Sequence, residues 1–205
     1  MTPALDRRID AIVIGASAGG VDALAQLLPA LPATLCAAVF VVLHLPRDRP
    51  SLLVDIFAPI CALPVMEAED KQPVAAGHVY FAPPDYHLLI EKEPLLLDAE
   101  PCLQLSIDAP VHFARPSIDV LFESAADVYG AHLFGLILTG ANEDGSAGLR
   151  AVHDAGGLTA VQQPDTALSS LMPDAALLRT PVDFVLPLSE IGAVLGRLDT
   201  PGESR

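Results

Sequence analysis

Three polar residues stand where apolar, strand-like runs end. Ser17 lies in GASAG (15–19), His44 in VVLHLP (41–46) and Asp144 in LILTGANEDGSAGL (136–149). A hydroxyl, an imidazole and a carboxylate are the groups that nucleophilic acyl transfer needs. The imidazole takes the hydroxyl proton, and the carboxylate holds the imidazole's tautomer and stabilises the imidazolium. GASAG also satisfies G-x-S-x-G, in which small neighbours permit a tight strand-to-helix turn that exposes the serine oxygen. N–H groups of the following helix, Ala18 first among them, are donors for a developing oxyanion.

Each residue also has a plainer reading. Ser17 can cap a helix, with its glycines there for close packing. A dinucleotide loop is the weaker rival, because Ser17 occupies the middle glycine of G-x-G-x-x-G and the next strand ends in Leu43-His44 rather than a ribose-binding acid. His44 can be a satisfied histidine at a sheet end. Asp144 can balance the dipole of the helix that begins at Ser146, and Glu143 is a rival acid without a glycine beside it. Together, however, the three follow three buried strands and share one expected sheet edge, in the order serine, histidine, aspartate.

Recurring strand–loop–helix units must position them. Apolar runs at 11–15, 37–43, 63–66, 77–82, 133–138, 158–162 and 184–187 read as strands. The run 37–43, AAVFVVL, is apolar on both faces, as a strand covered by helices on each side must be. Helical spacing runs from Val21 to Leu31, limited by Pro29 and Pro32, and over 51–58, 146–155, 174–179 and 189–198. From Ser117, a candidate cap, Ile118, Leu121, Phe122, Ala125, Val128 and Tyr129 share one stripe. Residues 87–90 and 95–97 flank EKEP and suggest a small β-hairpin. The expected fold is α/β: a three-layer α/β/α sandwich with a mainly parallel, doubly wound sheet. Its ligand site should lie beyond the carboxyl ends of the strands.

Composition narrows the function. The chain has 205 residues, 52% of them hydrophobic, enough for one sizeable core. A formal charge of −15 disfavours nucleic acid or an anionic membrane as partner. Cys36, Cys61 and Cys102 fit neither a zinc pattern nor a disulfide framework, and Cys36, in an apolar run, is expected to be buried. The six histidines show no compact ligand spacing, so no metal or other cofactor is expected. The N-terminus lacks a signal-peptide core and no run reaches membrane-spanning length, so the cytoplasm is the default compartment. Glu67 to Lys71 reads as a solvated turn.

The three segments resemble the catalytic domain of the chemotaxis protein-glutamate methylesterases, the CheB family, over about residues 12–198. GASAGG is similar to that family's nucleophile motif, LHLP to its histidine segment and LTGANEDGSAGL to its aspartate loop. EAEDKQPVAAGHVYFAPPDYHLLI and ARPSIDVLFESAA match two further blocks. The resemblance implies a serine hydrolase that removes methyl esters from glutamates on the cytoplasmic helices of chemoreceptors, with glutamine deamidation as an added activity. It implies Ser17 as nucleophile, His44 as base, Asp144 as orienting acid and the Ala141 N–H as a second oxyanion donor. Arg115 and Met172 are candidates for the substrate cleft, with a surface salt bridge as the alternative for Arg115. The expected organisation is one catalytic domain over 10–198, flexible termini at 1–9 and 199–205, and no receiver domain.

Several positions depart from the family pattern. Leu43 stands where Gln usually precedes the histidine. Ala141 and Asn142 replace Met and Gly, and Asn142 would be strained if that place requires φ > 0. Ala114 replaces a histidine, with His112 two residues earlier, and Leu171 replaces a glycine before Met172. Three alternatives therefore stand beside the methylesterase: a non-catalytic relative that binds receptor helices or a signalling partner, a serine esterase or amidase with another substrate, and a nucleotide-binding regulator.

Overall fold

The computed structural model describes residues 7–45, 51–92 and 100–198. Its centre is a seven-stranded sheet of β1 (Ala11–Ala16), β2 (Ala38–Leu43), β3 (Val65–Glu67), β4 (Val79–Phe81), β7 (Leu133–Ile137), β8 (Leu158–Gln162) and β9 (Phe184–Leu186). The spatial order is β3-β4-β2-β1-β7-β8-β9, and every pairing is parallel. β1 and β2 are buried along their whole length, as two-sided apolar runs require. Alternation sends Ile12, Ile14, Val39 and Val41 into one core and Val13, Phe40 and Val42 into the other.

Helices α1 (Gly20–Leu27), α2 (Leu53–Phe57) and α6 (Leu188–Leu195) cover the first face through Leu24, Leu27, Phe57, Ile191 and Leu195. Helices α3 (Ile118–Tyr129), α4 (Ser146–Asp154) and α5 (Leu171–Arg179) cover the second. The expected α3 stripe is the buried one. Ile118, Leu121, Phe122 and Ala125 are all 0% exposed, and each of the large side chains contributes about 1.5–3 kcal/mol by leaving water. The three-layer sandwich with a mainly parallel sheet is thus the fold.

Three local expectations change. The hairpin forms from β5 (His87–Glu91) and β6 (Cys102–Ser106), antiparallel, with Glu91 opposite Cys102. The expected return strand at 95–97 lies outside the described residues, as do 1–6 and 199–205 of the termini. CLQLS carries a weak strand signal, since only Leu103 and Leu105 mark its alternation. Helix α5 begins three residues before the expected 174, since Pro173 falls in its first turn, where a missing N–H is no loss. Cys36 is exposed rather than buried. It precedes β2 instead of belonging to it, so strand alternation does not turn it inward.

The order of strands places a topological switch between β1 and β7. The chain leaves β1 through α1 on one face and leaves β7 through α4 on the other. A crevice opens at the carboxyl ends of such a pair, and Ser17 and the 139–145 loop both border it.

Candidate active site

Ser17 is the first residue beyond β1, and His44 the first beyond β2. Ala16 is in register with Leu43, and the His44 N–H donates to the Ala16 carbonyl at 3.1 Å. The two residues are therefore successive places on neighbouring parallel strands, roughly 4.8 Å apart in the sheet. Strand alternation points both toward the face covered by α3. On the other flank the Ser17 N–H donates to the Thr139 carbonyl at 3.0 Å, just past β7. The Gly20 N–H closes the turn onto the Ser17 carbonyl at 2.8 Å, and Gly19, at φ 80°, takes the left-handed conformation that lets α1 start at once.

The histidine and the acid meet. His44 Nε2 lies 2.8 Å from Asp144 Oδ2, across 100 residues of chain. Asp144 is 0% exposed and the His44 side chain 13%. An ionised carboxylate only accepts, so Nε2 carries a proton, and in the neutral ring it is Nδ1 that holds the lone pair. Asp144 takes three more hydrogen bonds: from Ser117 Oγ (2.8 Å), Ile118 N–H (2.8 Å) and Asp119 N–H (3.1 Å). Burial pushes its carboxyl upward, but the bond from His44 and those from the Ile118 and Asp119 N–H groups outweigh it and hold the carboxyl below its ordinary range. Asp144 precedes α4 yet caps α3. Its side-chain hydrogen bonds go to the neighbouring helix rather than to the one it precedes. Asp119, in the first turn of α3, returns the contact by accepting from the Gly148 N–H of α4 at 2.7 Å. Burial raises the Asp119 carboxyl, the Gly148 bond opposes it, and the nearby charge of Asp144 adds to the rise.

The Ser17 hydroxyl makes no hydrogen bond to the imidazole among the described residues. Catalytic hydrogen bonds are often open in unliganded proteins and tighten with substrate. Ala18 and Ala141 are exposed residues, and their main-chain N–H groups are bonded to no described residue. Asn142 has no positive φ, which removes the strain considered for that place. Instead its Oδ1 accepts from the Asp144 N–H at 3.3 Å.

A cleft of about 230 Å³ adjoins His44 and is lined also by His112, Phe113, Arg115, Pro116 and Asn142. Arg115 combines a place at the cleft with an ion pair. It lines this cleft, and it bonds Asp85 through Nη2 at 2.7 Å and the Ile107 carbonyl through Nη1 at 2.7 Å. Met172 is 1% exposed. Its side chain lies against Gly140, where an added Cβ would come within 2.5 Å of it, so Met172 supports the 139–145 loop from beneath and does not line the open cleft. Leu171 is half exposed at the start of α5.

Sequence reasoning missed Thr139, whose Oγ1 donates to the Ala18 carbonyl at 2.8 Å and so braces the serine turn from β7. It also left Ser117 as a simple helix cap. Nothing in residue spacing marks either one, since their partners are 121 and 27 residues away. Among the described residues no group of three or more His, Cys, Asp or Glu side chains is placed to hold a metal. None of the described helices is long and apolar enough to cross a membrane.

A serine turn, a paired imidazole and carboxylate, and two N–H groups without a described partner at a sheet switch point fit a hydrolase of the α/β class. Comparison with known proteins places it more closely: the CheB methylesterase family profile matches residues 12–195, and the chain belongs to that family. It superimposes on the crystal structure of the Thermotoga maritima CheB methylesterase catalytic domain with a TM-score of 0.87 and 30% identity, over 94% of this chain and 100% of that one. A Leptospira interrogans relative, provisionally named a protein-glutamate methylesterase/protein-glutamine glutaminase, is 45% identical over 190 residues, 93% of this chain and 95% of its own length. A protein-glutamate methylesterase/protein-glutamine glutaminase of Methanosarcina mazei is 38% identical, but the match spans only 52% of that longer protein.

Proposed function

We propose that the chain hydrolyses methyl esters of glutamate on the cytoplasmic helices of chemoreceptors, with deamidation of receptor glutamines as the related reaction. The observation that carries this reading is the 2.8 Å bond between His44 Nε2 and the buried Asp144 carboxylate, one strand away from Ser17. A buried carboxylate with four donors stays ionised and fixes the tautomer in which Nδ1 faces outward as a base.

Ser17 Oγ attacks the ester carbonyl and its proton passes to His44 Nδ1. The N–H groups of Ala18 and Ala141 receive the oxyanion; the side chain at 141 is immaterial to that donation, so alanine in place of the usual methionine keeps it. The tetrahedral species collapses, His44 Nδ1 protonates the departing methanol, and water activated by the same nitrogen releases the glutamyl group from Ser17. With glutamine the leaving group is ammonia. Arg115, held by Asp85, borders the cleft on the His44 side and orients a polar part of the receptor.

The test is methanol release from a methylated chemoreceptor, lost in Ser17→Ala. A non-catalytic relative rests on one observation, the unmade bond between Ser17 and His44. It is the correct reading if the wild-type protein binds receptor but releases no methanol. Labelling of Ser17 by a fluorophosphonate without action on receptor esters assigns the site to another acyl substrate.

A further inference from the structure

Ser117 occupies the N-cap position of α3 but does not cap it with its own oxygen. A serine there ordinarily accepts from the N–H two or three residues on. Here that N–H, on Asp119, and the one before it, on Ile118, both go to the Asp144 carboxylate. The Ser117 hydroxyl is turned the other way and donates to Asp144 Oδ1 at 2.8 Å. Ser117 is 0% exposed, so no water competes for that proton. Its main chain is pinned as well: the Ser117 N–H donates to His87 Nδ1 at 3.1 Å, and His87 Nε2 is satisfied by the Ala109 carbonyl at 3.2 Å.

The two carboxylate oxygens thus have two donors each. Oδ2 receives His44 and the Ile118 N–H; Oδ1 receives Ser117 and the Asp119 N–H. The Ser117 bond is charge-assisted and belongs to the strong class. It blocks rotation of the carboxylate and spreads its charge away from the oxygen that faces the imidazole. We propose that Ser117 is a positioning residue of this site, acting through Asp144 to aim Oδ2 at His44 and to set how strongly the imidazole holds its proton. This rests on the reading of Ser17, His44 and Asp144 given above.

Without the hydroxyl, Oδ1 loses a donor and more of the negative charge bears on His44. The imidazolium is then favoured, and a higher pH is needed to free the base. In Ser117→Ala, kcat for methanol release should fall about 5- to 50-fold, KM should stay within about twofold, and the acid limb of the kcat/KM profile should move up by about half a pH unit. Ser117→Thr, which keeps the hydroxyl, should restore both. If the alanine variant does not fold, Ser117→Cys, of similar shape but a weak donor, is measured in its place. A purely structural role would lower the melting temperature and leave the pH profile where it is; that result overturns the proposal. The pH midpoint of the His44 ring signals, followed by NMR in the same variants, reads the coupling without turnover. If Ser17→Ala proves as active as wild type, the functional reading fails, while an upward-moved NMR midpoint in the Ser117 variant still upholds the positioning role and an unmoved one ends it.

Discussion

Ile118 sits directly on Gly15: a Cβ at Gly15 would lie 2.4 Å from Ile118 Cγ2. The first glycine of the serine motif therefore serves the acid as much as the serine. It lets the N-terminus of α3 descend onto β1, and that same turn supplies the N–H groups that hold Asp144. Gly145, at φ 95°, gives way to Ile118 from the other side, where a Cβ would come within 2.7 Å.

Gly15→Ala should consequently cost about 1–3 kcal/mol, the range for overpacking a filled core, and should reduce esterase activity although neither reacting side chain is altered. Chemical denaturation and methanol release measure the two effects. Ile118→Ala in the Gly15→Ala background should recover part of the activity, because the two positions share one contact and cannot act additively. Additive losses would show that the contact is not the cause.

The depressed Asp144 carboxyl sets a pH dependence whose sign is determined. Its folded value lies below its unfolded value of about 3.9. The stabilisation is present at neutral pH and is lost as pH falls from about 4 through the folded value. Asp144→Asn should therefore lower stability at pH 7 by about 2–4 kcal/mol, since an amide places N–H against a donor, and should flatten the decline below pH 4. Urea unfolding at pH 7, 5 and 3 tests this. An unchanged slope would mean that other carboxylates carry the acid transition.

Arg115 bonds Asp85 through Nε and Nη2, and the carbonyls of Ile107 and Asp108 through Nη1. A single ammonium cannot reproduce that fork. Arg115→Lys should raise KM for the methylated receptor about 3- to 10-fold and change kcat less. Asp85 is itself half exposed, so the ion pair adds little stability, and the melting temperature should move only slightly. A fall in kcat with KM unchanged would place Arg115 in the chemistry instead of in binding.

Asn142→Gly tests the departure from the family pattern. Because Asn142 is not in the left-handed region, glycine relieves nothing. It removes the acceptor for the Asp144 N–H and loosens the loop. Stability should fall by about 0.5–1 kcal/mol with no gain in kcat. A clear rise in activity would show that the asparagine side chain obstructs the substrate.

Much of this was legible in the chain itself, because local rules suffice for it. Two-sided apolar runs become central parallel strands, and the stripe from Ile118 to Ala125 becomes a buried helix face. A serine between glycines at a strand end becomes a tight turn. These patterns require only the neighbours of each residue, and they put Ser17, His44 and Asp144 at one edge of the sheet. Other outcomes depended on partners that no spacing reveals. Folding decided that Asp144 turns from the helix it precedes to cap α3, that Asp119 answers by capping α4, and that His44 meets Asp144 through Nε2. It also decided that Ser117 donates where a helix cap would accept, and that Met172 supports the loop from beneath. Each is a hydrogen bond or packing contact between distant segments. Its direction is settled only when helices of fixed length are laid on a sheet of fixed register and every buried donor must find an acceptor.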